Sequence, residues 1–283
     1  MRGQLVGFAV FCLVLVAIAG VSAAGPVSRA RVERFARRQG LLVTAANGDQ
    51  IIRYLATTRR WRVAGIMAGY LLGATVSLMV GDIGNSGVIA LFGGWFAGAL
   101  VAEIRVAHLA HGATRVASLQ PRQPRSYLPR TAWWLVPAAA GLAVVVSAAM
   151  LVAWVKGSAQ PDRAGVVWLL VALATAGTVR AIQLSVLRRP QPVTPPDLLA
   201  ADDAIRSRSL HVLAGGGSAL VLLCVVAQLG TVHPADPGPL ELVRGVGLVL
   251  VLIVGWAVST AAWSTRRDGP IDARPVTRTP GPQ

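Results

Sequence analysis

Seven apolar runs, at residues 5–24, 63–80, 88–102, 131–155, 165–187, 210–230 and 242–263, constrain this chain more than any motif in it. A helix crosses the hydrocarbon core of a bilayer with about 20 apolar residues. The run at 88–102 is short, but Ile104, Val106 and Leu109 extend its helix into the interface. Little chain remains between the runs for a soluble domain. The expected fold is therefore all-α: a multi-pass integral membrane bundle of about seven transmembrane helices, one N-terminal span followed by three hairpins.

Composition agrees. Only 14% of the 283 residues are charged and 54% are hydrophobic, whereas soluble domains carry about 25% charged residues. The formal net charge of +15 comes almost wholly from arginine, Lys156 being the single lysine. A nucleic-acid-binding protein stripes such charge over a soluble fold. Here the arginines cluster between apolar runs, the pattern of cytoplasmic loops. Nucleic acid is not an expected partner.

The clusters set an orientation. Residues 25–62 carry Arg29, Arg31, Arg34, Arg37, Arg38, Arg53, Arg59, Arg60 and Arg62 against Glu33 and Asp49. Residues 103–130 and 188–208 are also basic, while 81–87 hold an aspartate and no basic residue. The positive-inside rule then puts the N-terminus outside and the C-terminus in the cytoplasm. Val21-Ser22-Ala23 resembles a signal-peptidase site. Cleavage there would invert the charge rule for every later loop, so an uncleaved signal-anchor at 1–24 is the expectation. A basic amphipathic cytoplasmic segment at 25–62, a six-span domain at 63–263 and a disordered basic tail at 264–283 complete the organisation, in a cell membrane.

Within the segment 25–62, residues 29–39 predict a short helix stopped by Gly40. Asn47 predicts the cap of a second helix, with Gln50 at its third position. Ile51, Ile52 and Leu55 form its apolar stripe, beside Arg53, Arg59, Arg60 and Arg62. This surface is expected to meet anionic lipid headgroups, each arginine contributing about 1 kcal/mol there, or to dock a cytoplasmic protein partner.

Small residues recur every fourth position: Gly65, Gly69, Gly73 and Ser77 in one span, Ala90, Gly94 and Gly98 in the next. That spacing lines a groove that lets backbones approach. Packing of these two spans on each other is expected, with homodimerisation as the alternative. Gly215-Gly216-Gly217 predicts a close approach or a local break. Weak likenesses, Y-L-x-x-T-x-x-W at Tyr54 and Tyr127 and D-x-x-I-R at Asp49 and Asp202, hint at repeated hairpins.

Chemistry is scarce. The chain has no P-loop, dinucleotide fingerprint, nucleophile elbow or H-E-x-x-H. Span centres are nearly free of ionisable groups, which usually mark ion or substrate paths. Glu103 and Arg180 are placed for an interhelical ion pair. His108, His111, Glu103 and His211 are ligand-capable residues, but their spacing matches no recognised metal site. Neither catalysis, a metal nor a cofactor is expected. The function that fits is an accessory or assembly component docking a partner on its basic cytoplasmic face. The alternative is a permease, or the membrane subunit of a transporter energised by a separate protein.

Overall fold

In the computed structural model, residues 20–21, 23–80, 86–109, 115–116, 123–157, 163–189, 191–192, 196–232 and 238–261 are described. They form seven α-helices: α1 (Arg29–Gln39), α2 (Ala45–Val80), α3 (Ser86–Leu109), α4 (Arg130–Val155), α5 (Arg163–Arg188), α6 (Pro196–Gly230) and α7 (Gly238–Thr260). A two-residue strand β1 (Arg115–Val116) pairs antiparallel with β2 (Gln191–Pro192). Helices α4, α5 and α6, and residues 240–260 of α7, are long and apolar enough to cross a membrane. Most of the expected first span and the tail at 264–283 lie outside the described residues.

Helix α6 is the axis of the bundle. Its apolar window is 83% buried, against 17–22% for those of α4, α5 and α7. Small residues make this position accessible. A methyl group on Gly215 would lie 2.7 Å from the Gly255 carbonyl of α7, and one on Gly217 would lie 2.6 Å from Val179 of α5. Gly216, between them, faces Phe96 of α3 at 3.2 Å. Successive helical positions are rotated by about 100°, so three consecutive glycines admit three different neighbours. The helix is unbroken there. Outward faces remain apolar: Leu142, Val145 and Leu151 on α4, Leu170 on α5, Val249 and Ile253 on α7 are all exposed.

Helices α2 and α3 meet through their glycines. A β-carbon on Gly65 would lie 2.7 Å from Gly98 Cα, and one on Gly69 would lie 2.9 Å from Gly94 Cα. Gly73 is buried as well, while the side chain of Ser77 lies outside the described residues. Backbones this close gain dispersion contact along the whole crossing.

Two helices run on beyond their apolar stretches. The polar residues 45–62 and the run 63–80 are one continuous helix of 36 residues, and 196–209 are likewise continuous with 210–230. Helix α2 starts earlier than its sequence predicts. Thr44, not Asn47, is the cap: the Thr44 backbone N–H donates to Asn47 Oδ1 at 2.9 Å, and the Asn47 N–H donates to Thr44 Oγ1 at 3.4 Å. Asn47 occupies the third helical position of a reciprocal capping box. Its Nδ2 also donates to the Leu42 carbonyl at 2.9 Å, and the side chain is buried. Helix α1 ends at Gly40, whose φ of 60° is left-handed, with the Leu41 N–H returning 2.9 Å to the Ala36 carbonyl.

Candidate functional site

The extensions of α2 and α6, helix α1 and the end of α3 assemble one layer at the arginine-rich end of the bundle. Val32 and Phe35 of α1, Ile51 and Tyr54 of α2, and Ala201, Ala204 and Ile205 of α6 share a buried cluster. The rings of Phe35 and Tyr54 are 5.9 Å apart and tilted by 52°. Leu55 packs against this cluster, whereas Ile52 is 41% exposed. The expected stripe is thus divided: Ile51 and Leu55 face the bundle, and Ile52 faces out. The helix turns 100° per residue, so neighbours that cover only one side of α2 bury Ile51 and leave Ile52 out. With α1 seated, Ile51 is covered by its own chain. Outside, Arg29, Arg31, Arg34, Arg37, Arg38, Arg53 and Arg60 are all exposed, beside Leu42, Val43 and Ile52.

Beneath the layer lies a buried carboxyl group. Glu103 of α3 is 1% exposed. Tyr54 Oη donates to its Oε1 at 3.2 Å, and Ser209 Oγ of α6 donates to its Oε2. Burial first, then the neighbouring Glu103, raise the Tyr54 hydroxyl above the usual phenol range, so it stays protonated and donates. Arg62 and Arg208 are the cations that act on Glu103. Three helices are joined at one carboxyl group. Replacing Tyr54 by phenylalanine should cost about 1–2 kcal/mol, read as a lower midpoint in detergent-induced unfolding. Combining it with Glu103→Ala should cost less than the sum, because the same bond is lost once.

The Glu103–Arg180 ion pair does not form. Helix α6 stands between α3 and α5, and its Ser209 occupies the carboxyl group. Arg180 instead lies over the Trp133 ring of α4, 3.6 Å from its centroid, and donates to Gln183 Oε1 at 3.3 Å. A guanidinium stacked on an aromatic face keeps a partner in an apolar setting.

A second polar knot centres on Arg206, which is fully buried. Its Nη2 donates to Asp202 Oδ2 at 2.9 Å, and its Nη1 reaches the carbonyls of Val186, Leu187 and Arg189 at 3.2, 3.3 and 3.1 Å. Asp202 also pairs with Arg189. Tyr127 Oη donates to Asp203 at 3.1 Å, and Ser207 Oγ donates to the Tyr127 carbonyl at 3.0 Å. Arg206 therefore closes the C-terminus of α5. The last carbonyls of a helix lack intrahelical partners and carry partial negative charge, which suits a forked cation.

The same device recurs. Arg208 donates to the Ser259 carbonyl at the end of α7. Arg244 of α7 donates to the carbonyls of Leu229 and, at 2.9 Å, Val232 at the end of α6. Arg59 reaches the Pro26 and Ala23 carbonyls at 3.2 and 3.3 Å, and that of Gly25. Several arginines that a charge count assigns to loops thus bind helix ends. A signal existed for Arg206: it lies four residues after Asp202, so both share a helix face. The likeness of Asp49–Arg53 to Asp202–Arg206 does not extend to structure, because Arg53 is exposed and Arg206 is buried. Tyr54 and Tyr127 do both donate to a carboxyl group, from a helix and a turn respectively.

His211 is buried, with Nδ1 2.9 Å from the Ser207 carbonyl. The His108 side chain and His111 lie outside the described residues. Among the described residues no three metal-capable side chains come together. Comparison with protein-family models, curated proteins and solved structures found no match.

Proposed function

We propose that this chain is a non-enzymatic, seven-span membrane protein, N-terminus outside, whose cytoplasmic layer presents a rigid cationic surface to an acidic partner protein. It acts as an accessory or assembly component. The observation that carries this is the division of the layer: Val32, Phe35, Ile51, Tyr54 and Leu55 are consumed by internal packing, while seven arginines, from Arg29 to Arg60, remain exposed on α1 and α2 beside the exposed Leu42, Val43 and Ile52. A surface of one sign on a braced scaffold suits electrostatic steering and docking of the opposite sign. The environment of α6 supports this reading over a permease. Leu210, Leu213, Ala214, Val221 and Val225 fill the centre of the bundle, where a carrier needs polar groups.

The test is site-specific photo-crosslinking from α1 in native membranes, with and without Arg31→Glu, Arg34→Glu and Arg38→Glu together. Exposed pairs contribute about 0.2–1 kcal/mol each, so reversing three should reduce the adduct about tenfold, and high salt should do the same. Solute transport by the purified chain alone in liposomes would refute the proposal. For orientation, Arg38→Cys and Ser86→Cys should label from opposite sides of the membrane with an impermeant reagent; labelling from one side contradicts the topology.

A further inference from the structure

An apolar groove of about 410 Å³ opens between α2, α3 and α7. Ile66 of α2, Leu91, Phe92 and Trp95 of α3, and Ile253 and Trp256 of α7 line it. Ile253 and Trp256 are 56% and 58% exposed, so the groove opens outward. Its polar neighbour is Arg62, one helical turn from Ile66 on the same face of α2. The Arg62 guanidinium lies 6.0 Å from the Trp95 ring centroid, and its Nε is buried without a hydrogen-bond partner among the described residues. Across the mouth, Arg208 binds the Ser259 carbonyl, less than a turn beyond Trp256. Arg62 and Arg208 both act on Glu103, two cations on one carboxyl group. The groove therefore has an apolar body, tryptophans along its wall and an excess positive charge at its arginine-rich end.

We propose that this groove binds one anionic phospholipid, with an acyl chain along Ile66, Phe92 and Ile253 and the phosphate on Arg62. The levels match. From Ser259 to Leu252 is seven residues of helix, about 10 Å of rise, enough for the part of an acyl chain nearest the headgroup. Tryptophans favour the depth where headgroup meets chain. A guanidinium binds phosphate oxygens through a fork of N–H donors, with charge on both partners. This proposal is separate from the partner surface, because none of the exposed arginines of α1 takes part in it.

Native mass spectrometry of the full chain in mild detergent tests it, with phosphatidylglycerol and phosphatidylcholine of identical acyl chains as probes. The expected result is one phosphatidylglycerol retained per chain, preferred over phosphatidylcholine by about tenfold or more: both lipids carry the phosphate, but the choline ammonium neutralises its charge and is repelled by the cationic end of the groove. Arg62→Gln should abolish the preference yet leave acyl binding, and Ile253→Trp, which narrows the mouth, should reduce both lipids. Circular dichroism and unfolding midpoints must match wild type for each variant; should Arg62→Gln fail to fold, Arg62→Lys, expected to weaken the preference, replaces it. Equal retention of the two lipids overturns the proposal. So does a dimer abolished by Ile253→Trp, which makes the groove an interface between copies. Lipid that binds only after deletion of residues 2–19 likewise overturns it, because the occupant is then the chain's own first apolar run.

Discussion

Gly94→Ala is expected to unseat α2 from α3, whereas the same substitution one residue earlier, Gly93→Ala, leaves the bundle folded. A β-carbon at Gly94 would lie 2.8 Å from Gly69 Cα and 2.9 Å from Gly69 N, both backbone atoms that no rotamer change can move. At Gly93 nothing lies within 4 Å. Overpacking a close contact usually costs about 1–3 kcal/mol, and a contact between two backbones belongs at the upper end. The neighbour gains about 0.5–1 kcal/mol from a better helix former. Adjacent residues of identical type should thus differ by about 3–4 kcal/mol with opposite signs. The measurement is the unfolding midpoint of each purified variant on titration with a denaturing detergent. Equal midpoints would mean that α2 and α3 do not cross at their glycines.

Removal of the Arg206 guanidinium is the second large effect. Arg206→Ala deletes one of the two cationic partners of Asp202, leaving Arg189, and uncovers three carbonyls at the end of α5. Breaking a buried pair from one side costs about 3–5 kcal/mol, and with Arg189 still on Asp202 the loss belongs at the lower end. Arg206→Lys keeps the charge but not the fork, and should recover only part of the loss. Adding Asp202→Ala to Arg206→Ala should cost less than the two changes taken apart, since the bond between them is lost once. An additive cycle would show that the two residues do not act together. Exposed Arg53, which occupies the corresponding place in the sequence likeness, should tolerate alanine with little change.

The contrast between Arg53 and Arg206 shows where sequence reasoning loses its hold. Both stand four residues after an aspartate and directly after an apolar pair, and both precede an apolar run. Local pattern cannot tell them apart, because burial depends on which helix arrives beside them. The C-terminus of α5 arrives at Arg206, and its free carbonyls make the buried position favourable. Similarly, Ile51, Ile52 and Leu55 read as one apolar stripe, yet α1 and α6 cover only the side that holds Ile51 and Leu55. Glu103 invited pairing with a cation. In the fold, two hydroxyl groups, from Tyr54 and Ser209, reach it first, and no spacing in the chain brings residues 54, 103 and 209 together.

By itself the sequence determined the helical class, the apolar runs now seen in four membrane-length helices, the stop at Gly40 and the four-residue glycine interval. Each of these follows from interactions within about one or two turns of chain: hydrophobic periodicity, left-handed backbone at glycine, side-chain size along one helix face. Only the tertiary structure decided that α6 is the axis, that Arg180 turns to Trp133 instead of Glu103, and that arginines bind helix ends. Those outcomes depend on which carbonyls, rings and hydroxyl groups come from distant segments. The free energy of a buried polar group is set by the partners that meet it, not by its neighbours in the chain.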